Sequence, residues 1–409
     1  MKCRHCGDDL RLPFLDLGSA PPSNAYLTEI SIRAPETWFP LRILVCESCW
    51  LVQTEDHTGR EALFTQDYAY FSSFSTTWLR HAETYVYQMI QRFRLDAGSC
   101  IVEVAANDGY LLQYVQQAGI PCYGIEPTAS TAAAARTKNI DIVERFFGIE
   151  LSEELVKSGK QADLMVANNV LAHVPDINDF VSGFAVLLKP QGVATFEFPH
   201  LLQMVKENQF DTAYHEHYSY LSLTAVQGIF AANGLTVFDV EILSTHGGSL
   251  RVFAQRTDTG IYECSTKVTT ILAAETETGI KTSKFYEGFQ HKAERAKDDL
   301  LLFLVDAKRK GLKVGAYGAA AKGNTLLNFA GIRPDLLPYV VDKNPAKQGK
   351  YMPGSQIPIV SEAHLQAHRP DYVLILPWNL KEEIEAQLSY SRDLGTKLLT
   401  AIPTLRVFD

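Results

Sequence analysis

Two long blocks of the chain alternate short apolar runs with stretches of helical spacing. In the first block the runs are Ile101-Val-Glu-Val, Cys122-Tyr-Gly-Ile, Leu164-Met-Val-Ala and Val193-Ala-Thr-Phe-Glu-Phe. This order predicts a mostly parallel sheet wrapped by helices. Just before it, His81-Ala-Glu-Thr-Tyr-Val-Tyr-Gln-Met-Ile carries apolar residues at a spacing near 3.6, which predicts a helix leading into the sheet. The alternation restarts with Val314-Gly-Ala-Tyr, Tyr339-Val-Val-Asp and Tyr372-Val-Leu-Ile-Leu, a second and smaller Rossmann-like unit. Between the blocks, residues 266–310 are rich in Ala, Glu, Lys and Leu, contain no proline, and have only Gly279 and Gly288 as breakers. One or two long connecting helices are expected there. The start of the chain differs from both blocks, with short apolar runs such as Leu41-Arg-Ile-Leu-Val45 and Pro21-Pro22 between two cysteine pairs. The expected fold class is α/β, divided as 1–64, a small ribbon-type module; 65–265, the first Rossmann-like domain; 266–310, the connector; and 311–409, the second Rossmann-like domain.

The cysteines turn that first module into a metal-site expectation. Cys3, Cys6, Cys46 and Cys49 form two CxxC pairs. Two intervening residues let both thiolates of a pair face one ion, and two such turns make the tetrahedral four-thiolate shell that zinc prefers. The site is closed, so the zinc is structural, standing in for a core that so short a module cannot build. Cys100, Cys122 and Cys264 are scattered singly and read as small core hydrophobes. A chain of 409 residues, 46% hydrophobic and 21% charged, is globular and too long for a single core. Its net charge of -9 argues against a broad nucleic-acid surface. No apolar segment has the length of a signal peptide or a membrane span, so a cytoplasmic location with no membrane partner is expected.

Four polar constellations carry candidate chemistry, and three of them fall at strand ends, where ligands bind in open α/β sheets. Ile101-Val-Glu-Val-Ala-Ala-Asn-Asp-Gly109 is a strand, a small-residue turn and a helix start, the arrangement that lets a nucleoside approach the backbone. Glu126 ends the next strand and is placed for two ribose hydroxyls. Asn168 and Asn169 end a later strand and are candidates to touch cofactor or substrate. Tyr214-His-Glu-His217-Tyr-Ser-Tyr220 gathers titratable groups able to take a proton from carbon and hold the oxyanion that results. His217 is the first candidate for the base; a zinc site through His215 and His217 would have only two ligands. Finally, Val314-Gly-Ala-Tyr-Gly318-Ala-Ala-Ala-Lys322 repeats the strand, turn and helix. It suits a pyrophosphate beside Lys322, with Asp342 for a ribose or a neighbouring cation.

Taken together the motifs resemble the S-adenosylmethionine (SAM)-dependent sugar-nucleotide C-methyltransferases, which methylate C-3 of 4-keto sugars destined for antibiotics or cell-surface glycans. The resemblance runs over essentially the whole chain, through the cysteine pairs flanking Phe14-Leu-Asp-Leu-Gly, then Asp67-Tyr-Ala-Tyr-Phe-Ser-Ser and 103–109. It continues through Asn168-Asn169-Val-Leu-Ala-His173-Val-Pro, Tyr214-His-Glu-His217, His246-Gly-Gly-Ser-Leu-Arg251 and Tyr317-Gly-Ala-Ala-Ala-Lys322. It implies a class I SAM methyltransferase domain in the centre and a C-terminal domain that anchors the nucleotide, with the sugar in the cleft between them. SAM is then expected at Glu103, Ala105, Asn107, Gly109, Glu126, Asn168 and Asn169, although Ala105-Ala106 stands where many relatives carry a glycine or small polar residue. The sugar nucleotide is expected at Tyr68, Ser72, His246, Gly247, Tyr317, Lys322 and Asp342. Catalytic importance falls on Tyr214, Glu216, His217, His173 and a tyrosine of the Tyr68/Tyr70 segment, with Tyr70 favoured. In the implied reaction His217 removes the C-3 proton and Glu216 orients its ring. Tyr214, Tyr70 and His173 donate to the enolate or position the sugar. The expected substrate carries dTDP or GDP, and the expected enzyme is a monomer or weak homodimer. Two rivals are an NAD-dependent sugar-nucleotide oxidoreductase, against which the C-terminal turn lacks G-x-G-x-x-G, and a non-catalytic zinc-ribbon scaffold.

Overall fold

The computed structural model describes residues 1–57, 59, 71–392 and 395–408. Its strands, numbered along the chain, are β1 (Leu12–Ala20), β2 (Phe39–Val45), β3 (Val52–Thr54), β4 (Ile101–Val104), β5 (Cys122–Ile125), β6 (Ile142–Val143), β7 (Ala162–Asn168), β8 (Leu188–Pro199), β9 (Ser219–Tyr220), β10 (Leu235–Leu243), β11 (Ser249–Arg256), β12 (Val314–Tyr317), β13 (Val340–Val341), β14 (Ile359–Val360), β15 (Tyr372–Ile375), β16 (Lys397–Thr400) and β17 (Arg406–Phe408). They form three sheets. The central one has the order β10-β11-β8-β7-β4-β5-β6, parallel from β8 to β6 and closed by antiparallel β11 and β10. The C-terminal one runs β14-β13-β12-β15-β16-β17, antiparallel only at β17. The first is antiparallel, β1-β2-β3-β9, and its last strand is lent by the central region more than 160 residues further on.

Local sequence explains the elements that set up the strand ends. Six of the seven residues of β7, Ala-Asp-Leu-Met-Val-Ala-Asn, are buried, as a central parallel strand covered on both faces requires. The helix Thr76–Phe93 buries Ala82, Tyr85, Val86 and Met89 on one stripe. It starts before the apolar pattern does, because the Ser75 side chain caps the Trp78 amide. The connector is three helices, Thr266–Glu277, Ser283–Tyr286 and Phe289–Arg309, and its two glycines fall at the breaks with φ of +82° and +79°.

Cores do not respect the expected boundaries. Phe14, Leu15, Leu41 and Ile43 of the N-terminal sheet share one cluster with Phe289 and Leu300 of the connector and Leu326, Val340 and Leu374 of the C-terminal unit. Phe14 stacks on Phe289 with centroids 4.6 Å apart. A module of this size buries too little surface alone, and it borrows the interior of its neighbours. The lone cysteines differ from expectation. Cys100 and Cys122 are half-buried, while Cys264 is exposed in the irregular stretch after β11. Among the described residues no helix is long and apolar enough to cross a membrane.

Candidate active site and zinc centre

The four sulfurs of Cys3, Cys6, Cys46 and Cys49 lie within 4.8 Å of one another. Cys3 and Cys49 are 3.6 Å apart and Cys6 and Cys46 3.5 Å. Disulfides need about 2.05 Å. Tetrahedral thiolates at a zinc–sulfur length of about 2.3 Å stand about 3.8 Å apart, so the quartet fits zinc. Gln53 completes the surroundings, its Nε2 donating to the Cys3 sulfur at 3.2 Å.

A cavity of about 350 Å³ opens at the carboxyl ends of the central strands and is walled by residues from all three sheet systems. One end is lined by Val104, Ala105, Asn107, Tyr110, Ile125, Glu126, Thr128, Asn168 and Asn169. Ala105 and Asn107 hold φ of 57° and 49°, left-handed values that fold the backbone back under the ligand space without a glycine. At Gly109 (φ +74°) a Cβ would meet Ile140 Cδ1 at 2.3 Å, so this glycine secures the helix packing and does not face the cavity. Glu126 accepts the Asn107 amide on one oxygen and the Thr128 amide on the other, both at 2.9 Å, and burial raises its pKa. Glu103 lies behind the turn, buried in β4 and outside the cavity wall, its pKa raised well above the carboxylate range by burial. Both amide atoms of buried Asn168 and the Oδ1 of Asn169 have no protein partner among the described residues. Buried polar atoms without partners in a cavity wall are the mark of a ligand, and the donor set fits SAM.

The other end holds three imidazoles. His217 Nδ1 donates to the Thr212 carbonyl at 2.8 Å, so Nε2 is the bare nitrogen and accepts from the Tyr214 hydroxyl at 2.7 Å. His173 stands beside it, ring centroids 4.5 Å apart, and donates from Nδ1 to the Glu216 carbonyl at 2.8 Å. His246 Nε2 accepts from Asn169 Nδ2 at 2.7 Å. Burial drives all three below the usual imidazole range, His173 and His246 to about 4 and His217 well below that range, with repulsion from His173 adding to its burial. They are neutral at pH 7.

Glu216 does not orient His217. Neighbouring residues of this turn send their side chains to different sides, and the Glu216 carboxyl receives Asn24 Nδ2 at 3.1 Å, away from the imidazole. The orienting acceptor is the Thr212 carbonyl. His215 Nε2 faces the Phe39 and Pro40 carbonyls at 3.3 and 3.2 Å, which removes it from any metal.

The C-terminal wall brings Lys322 to the cavity at the start of the helix Ala321–Phe329. Its Nζ donates to Asn379 Oδ1 at 2.7 Å and sits 4.5 Å over Trp378. Burial lowers its pKa to about 8, against the pull of Asp211, whose own pKa burial raises to about 6. Trp378 Nε1 donates to that Asp211 at 2.8 Å across the domain boundary. Ser72 and His246 also line the cavity. Besides Glu103 and Gly109, four expected residues do not fit the expected contacts. Gly247 packs on Trp378, where a Cβ would stand 2.4 Å from the ring. Tyr317 turns to the far face of its sheet and donates to Glu362 at 2.6 Å. Asp342 spends its two oxygens on the Ala319 and Asn344 amides, fixing the turn. Glu216 lies behind Asn24. Tyr68 and Tyr70 lie outside the described residues. Sequence reasoning passed over Asn24, Trp78, Phe146 and Lys347, all in the wall. Of these only Trp78, in the capped helix start, carried a sequence signal.

Comparison with known proteins decides the family. Residues 3–64 match a zinc binding domain, 78–240 a methyltransferase domain and 244–403 a C-methyltransferase C-terminal domain. Over 406 residues the chain is 33% identical to C-methyltransferase NovU of Streptomyces niveus, covering 99% of this chain and 96% of that one. The chain belongs to the C-methyltransferase family. It is a SAM-dependent C-methyltransferase with an N-terminal zinc-binding domain, and the oxidoreductase and scaffold rivals fall away. Among solved structures, the magnesium protoporphyrin IX methyltransferase of Synechocystis PCC 6803 with bound SAM is 17% identical, covers 44% of this chain and 79% of its own, and superposes with a TM-score of 0.34. A SAM-dependent methyltransferase of Anabaena variabilis ATCC 29413 is 13% identical, covers 49% and 96%, and gives 0.39.

Proposed function

We propose that this C-methyltransferase methylates C-3 of a nucleotide-linked 4-keto sugar through an enolate, with His217 as the base. The observation that carries the reading is the His217–Tyr214 pair in the same cavity as the unpartnered Asn168 amide. A proton beside a ketone leaves only if a base meets it and the oxyanion is stabilised. Held neutral by burial and locked with its proton on Nδ1, His217 offers Nε2 to the carbon-bound proton once the Tyr214 hydroxyl turns from it to the substrate oxygen. The Tyr214 hydroxyl is the donor for the oxygen on which charge develops, while His173, whose one proton is held on Nδ1 by the Glu216 carbonyl, positions the sugar as an acceptor. When bound, SAM supplies an electrophilic methyl group for the enolate carbon. Asn168, Asn169 and Glu126 hold and orient that donor, and Trp78 and Tyr110 help to keep water from it. Bringing both reactants to one cavity supplies much of the acceleration.

Lys322, Lys347 and the start of the helix Ala321–Phe329 suit the pyrophosphate of a sugar nucleotide of dTDP or GDP type. The test is mass spectrometry of the purified enzyme with SAM and a panel of dTDP- and GDP-linked 4-keto sugars, where the accepted sugar gains one methylene. His217→Asn is expected to abolish that gain while calorimetry still reads normal SAM binding. Near-normal turnover in this variant removes His217 from the mechanism.

A further inference from the structure

Every residue from His215 to Tyr220 is held by the zinc module. The side chain of His215 meets the Phe39 and Pro40 carbonyls, and that of Glu216 meets Asn24. The His217 carbonyl accepts the Thr54 hydroxyl at 2.6 Å, and the Tyr218 carbonyl accepts the Thr54 amide at 3.1 Å. Ser219 and Tyr220 pair with Gln53 and Val52 as β9 on β3. Arg4, between the first two cysteines, lies 5.2 Å over the Tyr218 ring and donates to the Thr54 carbonyl at 2.8 Å. One step back from Thr54, Gln53 donates to the Cys3 sulfur at 3.2 Å and accepts the Arg4 amide at 2.9 Å. The path from a metal-facing thiol to the imidazole backbone is therefore Cys3, Gln53, Thr54, His217, and Thr54 is 1% exposed.

We infer that the zinc module is the frame that sets the catalytic imidazole, with Thr54 a positioning residue that ties the His217 backbone to the metal-held strand β3. A closed four-thiolate site fixes its two turns rigidly. Gln53 and Thr54 carry that rigidity outward, and the Thr54 hydroxyl fixes the peptide of the residue whose ring must meet the substrate within a fraction of an ångström. Loss of the hydroxyl leaves the buried His217 carbonyl short of its donor and frees the ring to drift from Tyr214. The role of the imidazole rests on the proposed function; the mechanical link to zinc does not.

The experiment reads the link without any sugar. Zinc-loaded wild type, Thr54→Val and Thr54→Ser, matched for zinc content and SAM affinity, are compared by amide hydrogen exchange over residues 212–222 and by carbon-13 NMR of labelled histidine, with the His217 signal assigned through His217→Asn. In Thr54→Val, exchange over 212–222 is expected to rise about tenfold, as for one lost buried hydrogen bond, and the His217 signal to move. Thr54→Ser, which keeps the hydroxyl, restores both. Wild-type exchange and an unmoved His217 signal in Thr54→Val overturn the inference. Should Thr54→Val fail to fold, zinc is withdrawn from the wild type with a chelator. Faster exchange over 212–222 while 101–125 stays protected supports the link, and unchanged exchange over 212–222 overturns it. If the link holds but no 4-keto sugar of the panel is methylated, the substrate reading fails alone.

Discussion

Burial of three imidazoles around one cavity decides what each can do at neutral pH. Because desolvation penalises the charged form, His217 stays a base well below the ordinary imidazole range, and protonation stops it only when the pH falls past its depressed pKa. Lys322 has the opposite sign of dependence. Burial lowers its pKa to about 8, so its positive charge is present below that pH and lost above it. The pH profile of kcat for the accepted sugar is therefore expected to stay level from pH 7 down through 6.5. The KM for the sugar nucleotide, in contrast, should rise above about pH 8, and Lys322→Arg, which remains charged, should flatten that rise. A kcat that halves already at pH 6.5 would contradict a buried neutral base. Residue types announced the Tyr214, His217 and Lys322 chemistry in the sequence because such groups seldom cluster without a task. What they could not announce was the partner of His217. A backbone carbonyl five residues earlier has no side-chain signature, whereas the adjacent carboxylate of Glu216 does, and it faces Asn24.

Among the elements, the turn between β4 and the next helix shows how tightly local geometry serves the ligand space. Gly109 combines a left-handed φ of +74° with a Cβ position 2.3 Å from Ile140 Cδ1. Gly109→Ala is expected to cost about 1–3 kcal/mol from strain and overpacking, read as a lower denaturation midpoint at unchanged slope. The strand and helix alternation was readable because β4, β5, β7 and β8 each hold a mostly apolar run of four or more residues that the fold buries under helices. The two-residue strand β9 was not, since no period can be seen in Ser219-Tyr220 and its partner β3 is far away in sequence. The same limit applies to Asn24, a loop residue that reaches the cavity only after the N-terminal sheet docks.

For the molecule as a whole, the cavity exists because three sheet systems close on it, and the closure has a visible latch. Trp378 crosses from the C-terminal unit to donate to Asp211 and to cover Gly247, while Lys322 caps its face. Trp378→Ala is expected to raise the KM for the sugar nucleotide by at least about tenfold, the loss of one buried hydrogen bond and its packing, with SAM affinity unchanged by calorimetry. An equal loss of SAM affinity would mean that the tryptophan supports the central domain itself.

The lent strand β9 has a consequence for how the polypeptide is born. Synthesis runs from the N-terminus, so β1, β2 and β3 leave the ribosome with one margin bare until residue 220 emerges, about ten seconds or more later at ordinary translation speeds. Bare strand margins recruit other chains. Early capture of the ion by Cys3, Cys6, Cys46 and Cys49 would hold the nascent hairpins in shape over that interval, leaving the margin as a docking rail for the segment that bears the imidazole.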